Sequence, residues 1–178
     1  MSNVLILVGS PRSEGNTMLL AQSVARGASQ HHHVDILSVA DLSVGPCRAC
    51  NACFSNPDNH CVQLDDMPSL YQRLMAVDVL VLASPVYFYG ISAQLKAIVD
   101  RLHNPIRDRF SVKKCALVLV GGSSRPQIFD SSLLRFQQLV AHFNLSDAGH
   151  LLVGGVRNAG DVRDTHFISE AYALGQSL

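Results

Sequence analysis

Short unbroken apolar runs alternate with amphipathic stretches along the whole chain, and no linker, repeat or low-complexity block interrupts them. "NVLILV" (3–8) is aliphatic and β-branched throughout and closes on Gly-Ser-Pro, the pattern of a buried strand entering a turn. From Asn16 to Ser29 apolar residues recur at helical spacing, and "HVDILSV" (33–39) reads as a second strand. Asp65-Asp66 open a predicted helix to Ala76, with Asp66 suited to its positive N-terminal end. "DVLVLASPVY" (78–87) is the third strand, ended by Pro85, and "SAQLKAIVDRLH" (92–103) the helix after it. "KCALVLVGG" (114–122) is the fourth strand, followed by a helix around 130–143. "HLLVGG" (150–155) is a shorter fifth strand, and a last helix covers 164–175.

Strands this apolar, separated by helices, belong to a parallel sheet covered on both faces. Right-handed crossovers then leave doubly wound topologies. Five β/α units suit a three-layer α/β/α fold of flavodoxin-like strand order 2-1-3-4-5, whose ligand crevice lies at the carboxyl ends of the strands. The informative loops should follow strands one, three and four.

Composition narrows the partners. A chain of 178 residues, 48% apolar, is large enough for one domain spanning 1–178 with its own core. Fourteen basic residues balance fourteen acidic ones, so no basic excess supports binding to nucleic acid or to an anionic membrane. The N-terminal apolar run lacks a basic region before it and is too short to cross a bilayer. A cytoplasmic location is the expectation, where thiols stay reduced.

The loop "GSPRSEGNT" (9–17) places glycines, hydroxyls and an arginine at a helix N-terminus, an anion site through its unpaired amides and dipole. Ser10, Asn16 and Thr17 offer side-chain donors beside Gly15, and Arg12 a cation; the plainer alternative is an ordinary strand-to-helix turn. No lysine follows Gly15, no G-x-G-x-x-G is present and no cysteine sits in the loop, so the P-loop, the dinucleotide fingerprint and a thiol phosphatase are unsupported. After strand three, Tyr87, Phe88 and Tyr89 follow Pro85 and Val86. Three consecutive aromatics cannot all face one core, whereas an aromatic lip with exposed amides suits a flat heteroaromatic ring. After strand four, Gly121, Gly122 and Ser123 either let backbone approach a ligand closely or form a plain flexible turn. His31, His32 and His33 read as a solvated turn and Cys115 as a small buried hydrophobe. No G-x-S-x-G elbow or acid–base pair stands out, so no catalytic side chain is assigned.

A cysteine-rich loop at 45–64 holds Cys47, Cys50, Cys53 and Cys61. Five cysteines in the whole chain, an odd number, fit a disulfide framework poorly. A compact C-x2-C-x2-C run with a fourth cysteine matches the complement of a [4Fe–4S] cluster. Zinc is the rival, although all-thiolate zinc sites usually come as two separated C-x2-C pairs. A loop of reduced thiols is the third reading.

Taken together, "GSPRSEGNT", "CRACNACFSNPDNHCVQLDDM" and "SPVYFYGISAQLKAIVDR" resemble the NADPH-dependent FMN reductase families, and most of all their iron–sulfur flavoprotein branch, over residues 3–125. The resemblance implies a flavodoxin-like fold binding FMN, usually as a homodimer or larger homo-oligomer. By motif position Ser10, Arg12, Asn16 and Thr17 would hold the phosphate. Pro85, Val86, Tyr87, Phe88 and Tyr89 would line the isoalloxazine, with Gly121, Gly122 and Ser123 completing the pocket. The helix 95–101 would lie near the subunit contact. The implied activity is an FMN-dependent NAD(P)H oxidoreductase, passing electrons to a small-molecule or protein acceptor or to a metal cluster. A flavodoxin-like electron carrier and a zinc-stabilised flavin module without reductase activity are the alternatives, and NADH is not distinguished from NADPH.

Overall fold

The computed structural model describes residues 1–178. Strands β1 (Asn3–Val8), β2 (His33–Ser38), β3 (Val79–Tyr87), β5 (Lys114–Val120) and β6 (Ser146–Val153) form a parallel sheet in the order β2-β1-β3-β5-β6. Counting only these five, the order is the expected 2-1-3-4-5. The addition is β4 (Gly90–Ile91), which turns back antiparallel onto the end of β3. Helices α1 (Asn16–Ala28), α3 (Met67–Ala76), α4 (Ala93–Arg101), α5 (Asp130–His142) and α6 (Phe167–Gln176) cover the sheet, and a short α2 (Ala52–Ser55) lies inside the cysteine loop. No helix is long and apolar enough to cross a membrane.

The two-residue period of β1 divides the core. Val4, Ile6 and Val8 pack with Leu20, Val24 and Ala171 under α1 and α6. Leu5 and Leu7 point the other way, to Met67, Leu70, Leu95, Ile98 and Phe136 under α3, α4 and α5. Helices α1 and α6 meet backbone to backbone: a Cβ on Gly27 would stand 2.0 Å from the Tyr172 carbonyl oxygen, and one on Gly175 2.0 Å from that of Val24. Only glycine fits at both places.

Several boundaries differ from the sequence expectations. Strand β6 begins at Ser146, not 150, and ends at Val153. Its first half, residues 146–149, is a half-exposed edge with no apolar run, and its pairing with β5 has a register irregularity between Cys115 and Leu117. Pro85 does not end β3; it ends the parallel ladder, facing Val120, after which Val86 and Tyr87 pair with β4. Asp66 makes no side-chain cap on α3. Its carboxylate accepts instead from the Ser43 amide at 2.7 Å, while Asp65 accepts from the Met67 amide at 3.2 Å.

Candidate functional site

The loop leaving β1 delivers α1 to the carboxyl edge of the sheet, beside the ends of β3 and β5. Helix α1 starts without a side-chain cap on Gly15 and with no acidic residue in its first turn. Its first intrahelical-type bond is from the Leu19 amide to the Gly15 carbonyl, so the amides of Asn16, Thr17 and Met18 have no partner in the protein. Three unpaired donors at the positive end of a thirteen-residue helix form an anion site. They open into a cleft of about 320 Å3, within the usual range for small-molecule pockets.

Of the expected site residues, Ser10, Arg12, Gly15, Asn16, Thr17, Pro85, Val86, Tyr87 and Gly122 line this cleft. Ser10 is buried, and its hydroxyl accepts from the Arg12 amide at 3.2 Å, tightening the turn that carries the arginine. Thr17 is buried too. Phe88, Tyr89, Gly121 and Ser123 stand outside the lining. Gly121 is buried, and a Cβ there would fall 2.3 Å from Cδ1 of Ile128, so a larger residue would have to push that side chain aside. Ser123 is occupied with its own turn, its hydroxyl accepting from the Arg125 amide at 3.2 Å. Phe88 and Tyr89 form the tip of the β3–β4 hairpin, both at positive φ (46° and 65°), and are 100% and 60% exposed. A left-handed conformation costs a non-glycine residue roughly 1–2 kcal/mol. The hydroxyls of Ser131 and Ser132 on α5 hold this turn by donating to the Tyr89 carbonyl, Ser132 at 3.0 Å.

The fourth wall was not found by sequence reasoning. Val156, Arg157 and Ala159, from the segment after β6, also line the cleft. That segment is fastened to the loop after β5 by Gly155 N to Ser123 O (3.0 Å), Val156 N to Gly121 O (3.2 Å) and Arg157 Nε to Gly122 O (3.0 Å). Asp161 closes it into a turn by accepting from the amides of Arg157 and Asn158, both at 2.8 Å, and these bonds hold its carboxyl below the usual range. Asn16 clips it to α1: Nδ2 donates to the Asn158 carbonyl at 2.8 Å and Oδ1 accepts from the Val162 amide at 3.4 Å. The available signal was the turn-rich "VRNAGD" following a strand at the ligand edge of the sheet.

The cysteine loop leaves β2 and returns to α3. All five cysteines are unpaired; Cys47 and Cys50 are exposed, Cys53 and Cys61 half-buried and Cys115 fully buried. Ala49, Asn51 and Asn59 adopt left-handed backbone, winding the chain tightly between the thiols. Burial pushes the Cys53 thiol up and the charges of Cys61, Cys47 and Cys50 add to it, against one backbone hydrogen bond. The four therefore share one electrostatic neighbourhood. No three Cys, His, Asp or Glu side chains are gathered closely enough to hold a single metal ion.

Helix α4 and its C-terminal turn anchor both ends of the loop. Arg101 pairs with Asp65 and donates from Nη1 to the Gly45 carbonyl at 3.3 Å, and Asn104 donates to the Asn59 carbonyl at 2.8 Å. Burial opposes ionisation of Asp65, but hydrogen bonds from Arg101 and from the Met67 and Gly45 amides outweigh it and hold the carboxyl low. Burial pushes the nearby Tyr71 phenol up to about 12. One buried side-chain nitrogen in the whole protein lacks a partner, Nη2 of Arg101.

A doubly wound sheet whose crevice opens on free helix-end amides and a strand-end aromatic defines a binder of a phosphorylated ring compound. Comparison with known proteins agrees. The family of NADPH-dependent FMN reductases matches residues 2–150, and the chain belongs to it. An iron–sulfur flavoprotein of Methanocaldococcus jannaschii is 36% identical over 68% of this chain and 63% of its own length. A Bacillus subtilis protein named as an NAD(P)H-dependent FMN-containing oxidoreductase is 29% identical over 96% of this chain and 95% of its own length. The chain thus spans less than two thirds of the archaeal relative and nearly all of the bacterial one. Among solved structures, the NAD(P)H:quinone oxidoreductase of Methanothermobacter marburgensis superposes with a TM-score of 0.79 over 98% of this chain and 96% of that one, at 14% identity, a likeness of fold. The free amides of α1 and the absence of acid in its first turn fit the FMN phosphate.

Proposed function

We propose that the protein is an FMN-dependent NAD(P)H oxidoreductase. The observation that carries this is the unpaired first turn of α1 opening into a cleft walled by the ends of β3 and β5. Bound FMN would supply the redox chemistry, taking electrons from reduced nicotinamide and releasing them to a quinone, a free flavin, a ferric complex or a metal cluster. The residues of this chain bind and orient. The amides of Asn16, Thr17 and Met18, with Ser10, Thr17 and Arg12, receive the phosphate. Pro85, Val86, Tyr87 and Gly122 would line the ring, with Gly121 and Ser123 shaping the turn after β5. Phe88 and Tyr89 stand at the rim, where a second subunit can cover them.

That rim supports a homodimer. Tyr87, Phe88 and Tyr89 are 51%, 100% and 60% exposed, a concentration of aromatic surface typical of contact sites. The cytoplasm, which keeps thiols reduced, suits a loop of four unpaired cysteines.

Cys47, Cys50, Cys53 and Cys61 are the proposed ligands of a [4Fe–4S] cluster. A [4Fe–4S] cluster takes four thiolates, one per iron, which the compact C-x2-C-x2-C run and Cys61 can supply, whereas all-thiolate zinc sites usually draw on two separated C-x2-C pairs. Several of the relatives carry the name iron–sulfur flavoprotein. Titrating flavin-stripped protein into FMN tests the flavin site: quenching at one FMN per chain is expected, and full fluorescence at saturating protein contradicts it. Counting iron, sulfide and zinc after anaerobic preparation tests the loop: about four iron per chain is expected, and stoichiometric zinc without iron, even after reconstitution, contradicts it.

A further inference from the structure

We propose that Arg157 is a cofactor-binding residue whose guanidinium faces the ring of FMN and raises its potential by favouring the reduced, more negative ring, an assignment that rests on the FMN reading of the cleft. Arg157 lies outside the residues that the family matches, 2–150, on the wall after β6, and it lines the cleft. Its side chain is exposed but not free to swing as an exposed arginine ordinarily is. Nε donates to the Gly122 carbonyl at 3.0 Å, and the backbone amide donates to the Asp161 carboxylate at 2.8 Å. The Nε bond is the one hydrogen bond of the side chain, and no carboxylate pairs with it, so both terminal nitrogens are open. A planar fork held in place with its donors open suits an acceptor that carries negative charge.

The anchor decides which part of FMN the fork meets. Strand β3 stands between β1 and β5. Neighbouring strands lie about 4.8 Å apart, so the end of β5 is roughly 10 Å across the sheet from the end of β1. The phosphate donors gather after β1, where Arg12 already supplies a cation. Gly122 follows β5, so a guanidinium held on its carbonyl stands at the other end of the cleft, where the ring is proposed to lie. Asn158, the next residue, carries the wall back to Asn16. No aspartate or glutamate lines the cleft to cancel the charge of Arg157. The carboxylate of Asp161 is directed to the amides of residues 157 and 158.

Hydride from reduced nicotinamide brings two electrons and one proton, so the ring gains one negative charge until a second proton arrives from water. Charge that the protein places beside a flavin ring tunes its electronics. Arginine is charged at every working pH, so Arg157 holds the reduced ring more tightly than the oxidised one. By linkage, the ratio of those two affinities is the shift in potential. A tenfold ratio is about 30 mV for two electrons.

Wild type, Arg157→Gln, Arg157→Met and Arg157→Lys are compared, each saturated with FMN and, separately, with riboflavin. Midpoint potentials are read anaerobically with dithionite as reductant through mediators, and the affinity for oxidised flavin by fluorescence quenching. Arg157→Gln is expected to weaken reduced flavin at least tenfold more than oxidised flavin, lowering the potential by at least about 30 mV. The same shift is expected with riboflavin, because it acts on the ring. Arg157→Lys, which keeps the charge, should recover most of it. If Arg157→Gln holds no flavin, Arg157→Met decides by the same criterion, and failure of both to hold oxidised flavin overturns the assignment. A wild-type potential in a flavin-bound neutral variant overturns it too, since Arg157 is then only a strut of the wall. So does a loss confined to FMN affinity, which would place Arg157 on the phosphate. Wild-type protein that binds neither flavin overturns the FMN reading itself, a result distinct from each of these.

Discussion

Replacing Asn16 with alanine tests whether the carboxamide acts on the flavin phosphate or on the wall after β6. The structure shows Nδ2 donating to the Asn158 carbonyl at 2.8 Å and Oδ1 accepting from the Val162 amide at 3.4 Å. The first is well formed and the second lies near the limit of a hydrogen bond. At about 0.5–1.5 kcal/mol per bond, with the long one at the bottom of that range, the wall loses roughly 1–2 kcal/mol. Since 1.4 kcal/mol is tenfold, flavin affinity should fall by roughly 5- to 30-fold if binding must re-form the wall. That cost does not depend on the phosphate, so riboflavin should weaken by the same factor as FMN. Thr17→Val is the contrast, because its hydroxyl makes no hydrogen bond within the protein and should affect FMN alone. Fluorescence quenching, with flavin-stripped protein titrated into each flavin, reads both. An Asn16→Ala protein that weakens FMN tenfold and leaves riboflavin unchanged would refute the wall assignment and return Asn16 to the phosphate.

Four further outcomes follow from particular contacts. Asp65→Ala removes one partner of a buried ion pair and should lower stability by about 3–5 kcal/mol in chemical denaturation; an effect under 1 kcal/mol would show the pair to be solvated. The depressed Asp65 carboxyl contributes stability that is present above its ordinary value of 3.8 and is lost as pH falls through its lower folded value, so wild type should lose stability in acid below about pH 3.8. Asp65→Asn should show a shallower loss there, and an identical acid profile counts against the assignment. Gly175→Ala should destabilise by at least about 1–3 kcal/mol, because its Cβ would meet the Val24 carbonyl oxygen at 2.0 Å, and an unchanged thermal midpoint would show that α1 and α6 are free to part. Phe88→Asp should turn a dimer into a monomer in sedimentation at micromolar concentration, while a monomeric wild type with flavin bound removes the subunit contact at the hairpin.

The sheet was legible because its inner strands are apolar on both faces, and the crevice followed from their order. The exposed half of β6 was not, since an edge segment such as Ser146–Gly149 carries no apolar run to read. Two walls of the cleft were legible, one as a turn at a helix start and one as Pro85, Val86 and Tyr87 at a strand end. Arg157 and its neighbours were hidden for a physical reason: the segment is polar and exposed, and it joins the site through hydrogen bonds to Asn16 and to residues 121–123. Arg101 shows the same limit. Its place in "LKAIVDR" looks like an ordinary basic helix end, and its burial comes from Asp65, 36 residues earlier in the chain.

The most direct measurement of the central claim is anaerobic stopped-flow mixing of the FMN-loaded protein with NADH and, separately, with NADPH, followed at the flavin's visible absorption band. Bleaching by at least one nicotinamide, at a rate no slower than steady-state turnover with a quinone or ferric acceptor, is the expected result. Flavin that stays oxidised with both, or that bleaches more slowly than turnover, would contradict nicotinamide-dependent reduction at this cleft.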